Sequence, residues 1–252
     1  VWTFFGEKIK FKYNEKENTF EVNREEYQKY IDEVQKAHDL TNDFAKVMLT
    51  AKKSLKDLSK IKIQPGKPLN TMLYQKAEDI KDAFKAVGKP CAFEYKYDGI
   101  RLQLSKDEKG NIILFTRRLE DVSEQFPEVI DYVKKHIKGK EFILESEAVS
   151  YDPKTKKYLS FQNISQRIKR KYNIHEIAKK FPVEINIFDI MYYEGKNLLN
   201  TPFKERRKIL EEIITPKKLK LRLAKQLITD NEKKAQEFFN ESLAKGEEGV
   251  MA

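Results

Sequence analysis

One segment limits the possible folds of this chain more than any other: Cys91-Ala92-Phe93-Glu94-Tyr95-Lys96-Tyr97-Asp98-Gly99-Ile100-Arg101. It predicts an apolar strand that ends in a lysine, immediately before an Asp-Gly turn. Residues 91–104 and 112–117 then read as neighbouring strands, joined by 105–111 with the turn signal Lys109-Gly110-Asn111. Lys96 stands where a nucleophile is usually placed. An ammonium attacks nothing until it loses its proton, and partial burial beside Phe93 with a cation such as Arg101 nearby favours the free amine. Taken alone, Lys-x-Asp-Gly more commonly means a hairpin turn with a solvated lysine.

The pattern downstream alternates strands with helices. Pro127 opens a helix whose apolar face is Val129, Ile130, Val133 and Ile137, and Gly139 ends it. Residues 142–150 predict a strand, 160–172 a basic helix carrying Phe161, Ile164 and Ile168, and 183–193 another strand. Helices over 203–214 and 232–245 flank an alternating strand at 218–223. Such mixing predicts an α+β fold with antiparallel sheets. Upstream, Pro65-Gly66-Lys67-Pro68 breaks the pattern and marks a linker between 1–67 and 68–252. The first part reads as a hairpin (Ile9, Phe11 and Tyr13, then Phe20 and Val22) followed by a helix starting at Asn23 and Glu26. That helix carries Tyr27, Tyr30, Ile31 and Val34 on one face. A second helix, from near Thr41, is expected to bury Phe44, Val47, Met48 and Ala51.

Charge adds a partner class. Lysine and arginine number 50 against 40 acidic residues, a net charge of +10, which suits a phosphate backbone or a lysine-rich surface kept soluble or heat tolerant. Clustering favours the first: Lys154, Lys156, Lys157, Arg167, Lys169, Arg170 and Lys171 have no acidic residue among them, nor do Lys217, Lys218, Lys220, Arg222 and Lys225. Cys91 is the sole cysteine, so an intrachain disulfide and a cysteine zinc cluster are excluded and an intracellular setting is expected. His38, His136 and His175 are scattered and read as ordinary surface or helix residues. No run resembles a membrane span or signal peptide.

The segment from Glu94 to Arg101 resembles the nucleotidyl-lysine motif of ATP-dependent DNA ligases. Phe115-Thr116-Arg117-Arg118-Leu119-Glu120-Asp121 resembles their arginine-bearing motif, Glu145-Ser146-Glu147-Ala148-Val149 the third, Ile187-Phe188-Asp189-Ile190 the phenylalanine motif, and Glu247-Glu248-Gly249-Val250-Met251 the fourth. The order is that of the family, and the likeness is to archaeal-type replicative ligases from about His38 onward. It implies a covalent nucleotidyltransferase core, as in DNA ligases and mRNA capping enzymes: two antiparallel sheets flanked by helices, with ATP in the groove between them. It also implies that the small, mainly helical segment before that core matches the end of a helical DNA-binding domain, as a remnant of it.

The resemblance assigns roles residue by residue. Lys96 is the nucleophile that takes AMP from ATP and passes it to the 5′-phosphate of nicked duplex DNA. Glu94, Tyr95, Arg101, Arg117, Glu147 and Phe188 bind the nucleotide, with Glu94 accepting from the adenine amino group and Phe188 stacking on the purine. Glu147 and Glu248 are carboxylates for Mg2+, which needs only one or two protein oxygens. Glu145 is a supporting neighbour, and Asp98 either shapes the turn or approaches the nick. Arg101 and Arg117 are expected to meet across a strand pair, with Arg118 facing the other way. Arg167, Lys169, Arg170 and Lys171 form the expected DNA face.

Other readings share these residues. Glu94 is equally a strand-edge acid paired to a lysine, Phe188 an ordinary core residue, and Glu147 a surface charge. An RNA ligase or a GTP-dependent capping enzyme shares the lysine motif, and a DNA-binding module without chemistry keeps the fold. The ligase pattern continues to a Lys-x-Lys pair and an OB-fold domain beyond Ala252. The expectation is therefore trace self-adenylation and no nick sealing by this chain as it stands. A monomer, cytoplasmic and nucleoid-associated, completes the reading, with a sliding clamp as partner of the full-length protein.

Overall fold

The computed structural model describes residues 5, 8–9, 11–70, 74–170 and 172–252. The chain divides into two compact units, Val1–Asn70 and Thr71–Ala252.

In the first unit, β1 (Phe11–Asn14) and β2 (Thr19–Val22) form an antiparallel hairpin. The Asn14 side chain accepts from Lys16 N at 3.1 Å, and Asn18 takes the left-handed conformation the turn needs. Helix α1 (Arg24–Thr41) starts because Asn23 accepts from Glu26 N at 3.2 Å. It runs through Thr41, whose hydroxyl donates to Ala37 O at 2.9 Å, and stops at left-handed Asn42. The expected start near Thr41 is thus this helix's end, and α2 (Phe44–Lys53) is capped by Asp43. Helix α3 (Leu55–Leu58) follows. Phe5, Ile9, Ala37, Val47, Ala51 and Leu58 are the core. Phe44 and Met48, expected inside, are 69% and 49% exposed: Val47 and Ala51 carry the packed face, and the Phe44 ring lies against His38. The Pro-Gly-Lys-Pro stretch is no free linker. Ile63 and Leu69 beside it are buried, and Lys67 pairs with Asp43 at 3.6 Å.

In the second unit, α4 (Ile80–Val87), capped by Asp79, leads into β3 (Cys91–Lys96). Strand β4 (Ile100–Lys106) does not continue β3 in one sheet. Strand β3 is the centre of a three-stranded antiparallel sheet, between β10 (Gln226–Thr229) and β11 (Gly249–Met251). Strand β4 belongs to a six-stranded sheet with β5 (Ile112–Thr116), β6 (Phe142–Ser150), β7 (Val183–Tyr193), β8 (Lys196–Asn197) and β9 (Leu221–Leu223). Tyr97-Asp98-Gly99 is therefore a crossover between sheets. A glycine is required there because a Cβ on Gly99 would lie 2.4 Å from the Ala148 carbonyl oxygen. Among the described residues strand pairing is antiparallel except that β9 runs parallel to β7 over three residues, where a longer strand was expected at 218–223.

Each sheet has its own packed face. Leu102, Leu104, Leu144, Ile185, Ile187 and Ile190 meet Val129 and Val133 of α5 (Pro127–His136), and Leu210 and Ile213 of α8 (Phe203–Ile213). Ile164 of α6 (Phe161–Ile168) joins them; this helix ends four residues short of Tyr172, and Phe161 at its start is exposed. Helix α7 (Ile174–Lys180) follows it. Against β3, Phe93, Tyr95 and Tyr97 pack with Phe84 of α4 and with Ala235 and Phe238 of α9 (Glu232–Ala244). Among the described residues no helix is long and apolar enough to cross a membrane.

Candidate active site

Alternation along β3 decides which side chains can act together. Phe93, Tyr95 and Tyr97 point to the α4/α9 side, so Glu94 and Lys96 point to the other. Lys96 ends the strand opposite Gly249, its carbonyl accepts from Glu248 N at 2.9 Å, and its ammonium pairs with the Glu248 carboxylate. Tyr74 lies beneath the ammonium, 5.8 Å to the ring centroid. Phe93 faces away, so it does not desolvate Lys96 as expected. Tyr95, expected at the nucleotide, also faces away: its ring packs on Phe238 and its hydroxyl accepts from Lys225 and Lys245 at 3.1 and 3.2 Å.

Glu94 is buried on a central strand, not at an edge, and its partner is an arginine rather than a lysine. Arg207 Nη1 of α8 and Gln226 Nε2 of β10 donate to it at 3.1 and 3.0 Å. Burial pushes its carboxyl up to about 7, against the pull of Arg207.

The six-stranded sheet contributes the second half of the site. Arg101 lies opposite Glu147 and Gln103 opposite Glu145, which puts all four on one face. Glu145 is buried and accepts from Arg101 Nε at 2.8 Å and Gln103 Nε2 at 2.7 Å, so it aims the Arg101 guanidinium. That guanidinium sits 5.4 Å over the Phe188 ring. Phe188 reaches this face through a bulge: Glu145 pairs with Asp189 and Ser146 with Ile187, leaving Phe188 between them without a partner in the register. Asp189 beside it is clamped by Arg206 through two hydrogen bonds of 2.7 and 2.9 Å.

Glu147 is the most perturbed acid of this group. Burial pushes its carboxyl up to about 8, Arg101 and Lys96 pull it down, and Glu145 and Asp98 push it further up. Lys96 therefore acts electrostatically on Glu147 while pairing with Glu248, and the two carboxylates share one lysine. Among the described residues no three or more His, Cys, Asp or Glu side chains are grouped to hold a metal ion.

Other expected residues are placed differently. Arg117 follows β5, whose Thr116 pairs with Leu102, and its exposed guanidinium makes no ion pair among the described residues; Arg118 beside it is also exposed. Arg167 is a correction: it is fully buried, bound to Glu128, to Gln125 O at 2.6 Å and to Phe181 O at 3.1 Å, under the Phe126 ring. A fully buried guanidinium whose two terminal nitrogens are bound inside the fold cannot meet a phosphate. Lys169 and Arg170 are exposed, and Lys171 lies outside the described residues.

Residues not anticipated include Arg207 and Gln226, which hold Glu94, and a second polar group. There Arg222 donates to Asn186 Oδ1 at 2.9 Å and to the Tyr158 hydroxyl at 2.6 Å, while Tyr158 donates to Glu184. No local signal marks Arg207. A buried Glu94 implies a counterion somewhere, but the sequence does not say which arginine.

The family model "ATP dependent DNA ligase domain" matches residues 71–252. A DNA ligase of Nanoarchaeum equitans is 47% identical over 220 residues, covering 86% of this chain and 38% of that protein. One from Thermococcus onnurineus is 43% identical, covering 87% of this chain and 39% of that protein. The chain thus spans about two fifths of the length of these curated relatives. A solved mycobacterial DNA ligase D, complexed with ATP and MES, is 27% identical with a TM-score of 0.46 over 63% of this chain and 46% of that one.

Proposed function

This chain belongs to the ATP-dependent DNA ligase family, and on that premise we propose that residues 71–252 carry the nucleotidyl-transfer site of a DNA ligase, with Lys96 as its nucleophile. The supporting observation is the convergence of Glu94 and Lys96 of β3 with Arg101, Glu147 and Phe188 of the other sheet, so close that Lys96 and Arg101 both act on the Glu147 carboxyl.

The chemistry follows from these positions. The Lys96 amine attacks the α-phosphorus of ATP; a P–N bond forms, the bond to the bridging oxygen breaks, and pyrophosphate leaves. Before attack the ammonium must give up a proton, and the Glu248 carboxylate is the acceptor in contact with it. Arg101, aimed by Glu145, presents a guanidinium to ribose or phosphate, and Phe188 offers its ring to the purine. Glu94 meets the exocyclic amine of adenine. The AMP then passes to the 5′-phosphate of a nick, and the 3′-hydroxyl displaces it. Nicked duplex DNA is the substrate of that second half, with exposed Lys169 and Arg170 among the cations available to its backbone.

Mg2+ fits the donor chemistry. Burial holds Glu147 back from ionising despite Arg101 and Lys96, a cation bound there would favour its charged form, and Glu147 with Glu248 supplies the one or two carboxylates that a hard, water-retaining cation takes. When bound it neutralises phosphate charge.

The test is incubation with α-labelled ATP or GTP and Mg2+, followed by denaturing electrophoresis. Label retained from ATP is expected. Label from GTP alone points to a capping-type transferase, and none from either contradicts the proposal.

A further inference from the structure

Glu94 is held asymmetrically. Arg207 Nη1 and Gln226 Nε2 both donate to the same oxygen, Oε1, at 3.1 and 3.0 Å, and among the described residues no hydrogen bond reaches Oε2. Arg207 is itself fixed at its other nitrogens, donating from Nε to Glu211 at 3.2 Å and from Nη2 to Ala224 O at 3.1 Å. The Arg207 and Glu94 side chains are each 12% exposed, so water competes little with this arrangement.

We propose that Arg207 and Gln226 are positioning residues for purine selection: by saturating Oε1 they leave Oε2 as the atom that meets position 6 of the base. Ionised, Oε2 accepts from a 6-amino purine; protonated, it donates to a 6-oxo purine. The inference rests on the nucleotidyl-transfer reading above, in which Glu94 faces the base.

The physical steps are short. An oxygen that already accepts two N–H donors has no lone pair to spare for a proton, so a proton taken up by Glu94 must sit on Oε2. That reverses the hydrogen-bonding sense of the only free atom. A site built for one sense rejects the other because a buried polar group is left unpaired. Burial brings this change to about pH 7, with Arg207 opposing it and Asp189 assisting it. The charged groups around Glu94 are Arg207 and Glu211 on α8, Asp189 on β7 with its partner Arg206, and Lys96 on the same strand. Its cross-strand neighbours, Gln226 of β10 and Met251 of β11, are neutral. Preference for 6-amino bases is thus half lost at about pH 7, stronger above it and weaker below.

The experiment compares ATP with inosine triphosphate, which carries oxygen in place of the 6-amino group, in equilibrium binding and in Lys96 labelling from pH 5.5 to 8.5. For the wild-type chain the ATP-over-ITP ratio should fall roughly tenfold as pH drops across that range. In Arg207→Gln the fall should begin about one pH unit higher, because the cation that favours ionised Glu94 is gone; Arg207→Lys should recover part of that shift. Glu94→Gln must turn its NH2 toward the base, since its carbonyl serves the two donors, and should favour ITP at every pH. Carbon-13 titration of the Glu94 carboxyl in wild type and Arg207→Gln separates the two levels of the account. No Lys96 label from ATP in the wild type overturns the nucleotidyl-transfer reading, while the titration still decides whether Arg207 governs Glu94. Matching pH profiles in wild type and Arg207→Gln, or a Glu94→Gln chain that still favours ATP, overturn the inference.

Discussion

Glu147 is an acid whose surroundings oppose its charge, and that has consequences for stability as well as for cation binding. Burial pushes its carboxyl up to about 8 in the folded chain from an ordinary value of 4.5. Between those values the folded chain keeps a proton that the unfolded chain has released, so stability falls as pH rises through that window. The loss is at most about 1.4 kcal/mol per pH unit. Glu147→Gln should flatten the decline of melting temperature from about pH 5 to 8. Mg2+ should restore stability near pH 8 in the wild type but not in the variant; equal melting profiles for the two chains would count against both statements. At this scale the strand faces of the candidate site were legible: a spacing of two puts Glu94 with Lys96, and Glu145 with Glu147, on common faces. The Tyr95 side chain turns to the opposite face, as the same alternation implies. Arg207 was hidden because its pairing with Glu94 spans 113 residues and leaves no local pattern.

Two elements carry the geometry of the site. The crossover at Gly99 passes so close to Ala148 that Gly99→Ala must displace one strand or the other, a strain of about 1–3 kcal/mol. A lowered melting temperature together with weaker Lys96 labelling is expected; full labelling at unchanged stability would show that the crossover is tolerant. Helix α6 carries the other case. Arg167→Ala would strand the Glu128 carboxylate and two carbonyl groups, a loss of about 3–5 kcal/mol, whereas changing exposed Lys169 or Arg170 should leave the melting temperature within about a degree or two. Denaturation curves that ranked these variants in the reverse order would contradict the burial of Arg167. Strands at 142–150 and 183–193 were legible because long apolar runs with polar interruptions have few alternatives. Strands β10 and β11 were not: four and three residues are too short for a periodicity, and only pairing with β3 makes them strands. A turn signal such as Asp-Gly marks a change of direction but not the change of sheet that follows.

For the molecule as a whole, the excess of basic residues becomes useful only where the fold leaves those residues exposed. Of the cluster expected to meet DNA, Arg167 is spent inside the fold, so neutralising Lys169 and Arg170 together should lower the slope of log affinity against log salt by roughly one unit per lost phosphate contact. An unchanged slope would make them ordinary solvated side chains. The fold class was readable from the order of elements and the two sheets from the family resemblance, while which strand joins which sheet came only from long-range pairing. The central claim, that the lysine at the end of β3 is the nucleophile, has one direct measurement: peptide-resolved mass spectrometry of the chain after incubation with ATP and Mg2+. The account predicts AMP on Lys96, absent in Lys96→Ala and in Lys96→Arg, whose guanidinium stays protonated and cannot attack. AMP on a different lysine, or an adduct that survives in either variant, would contradict it.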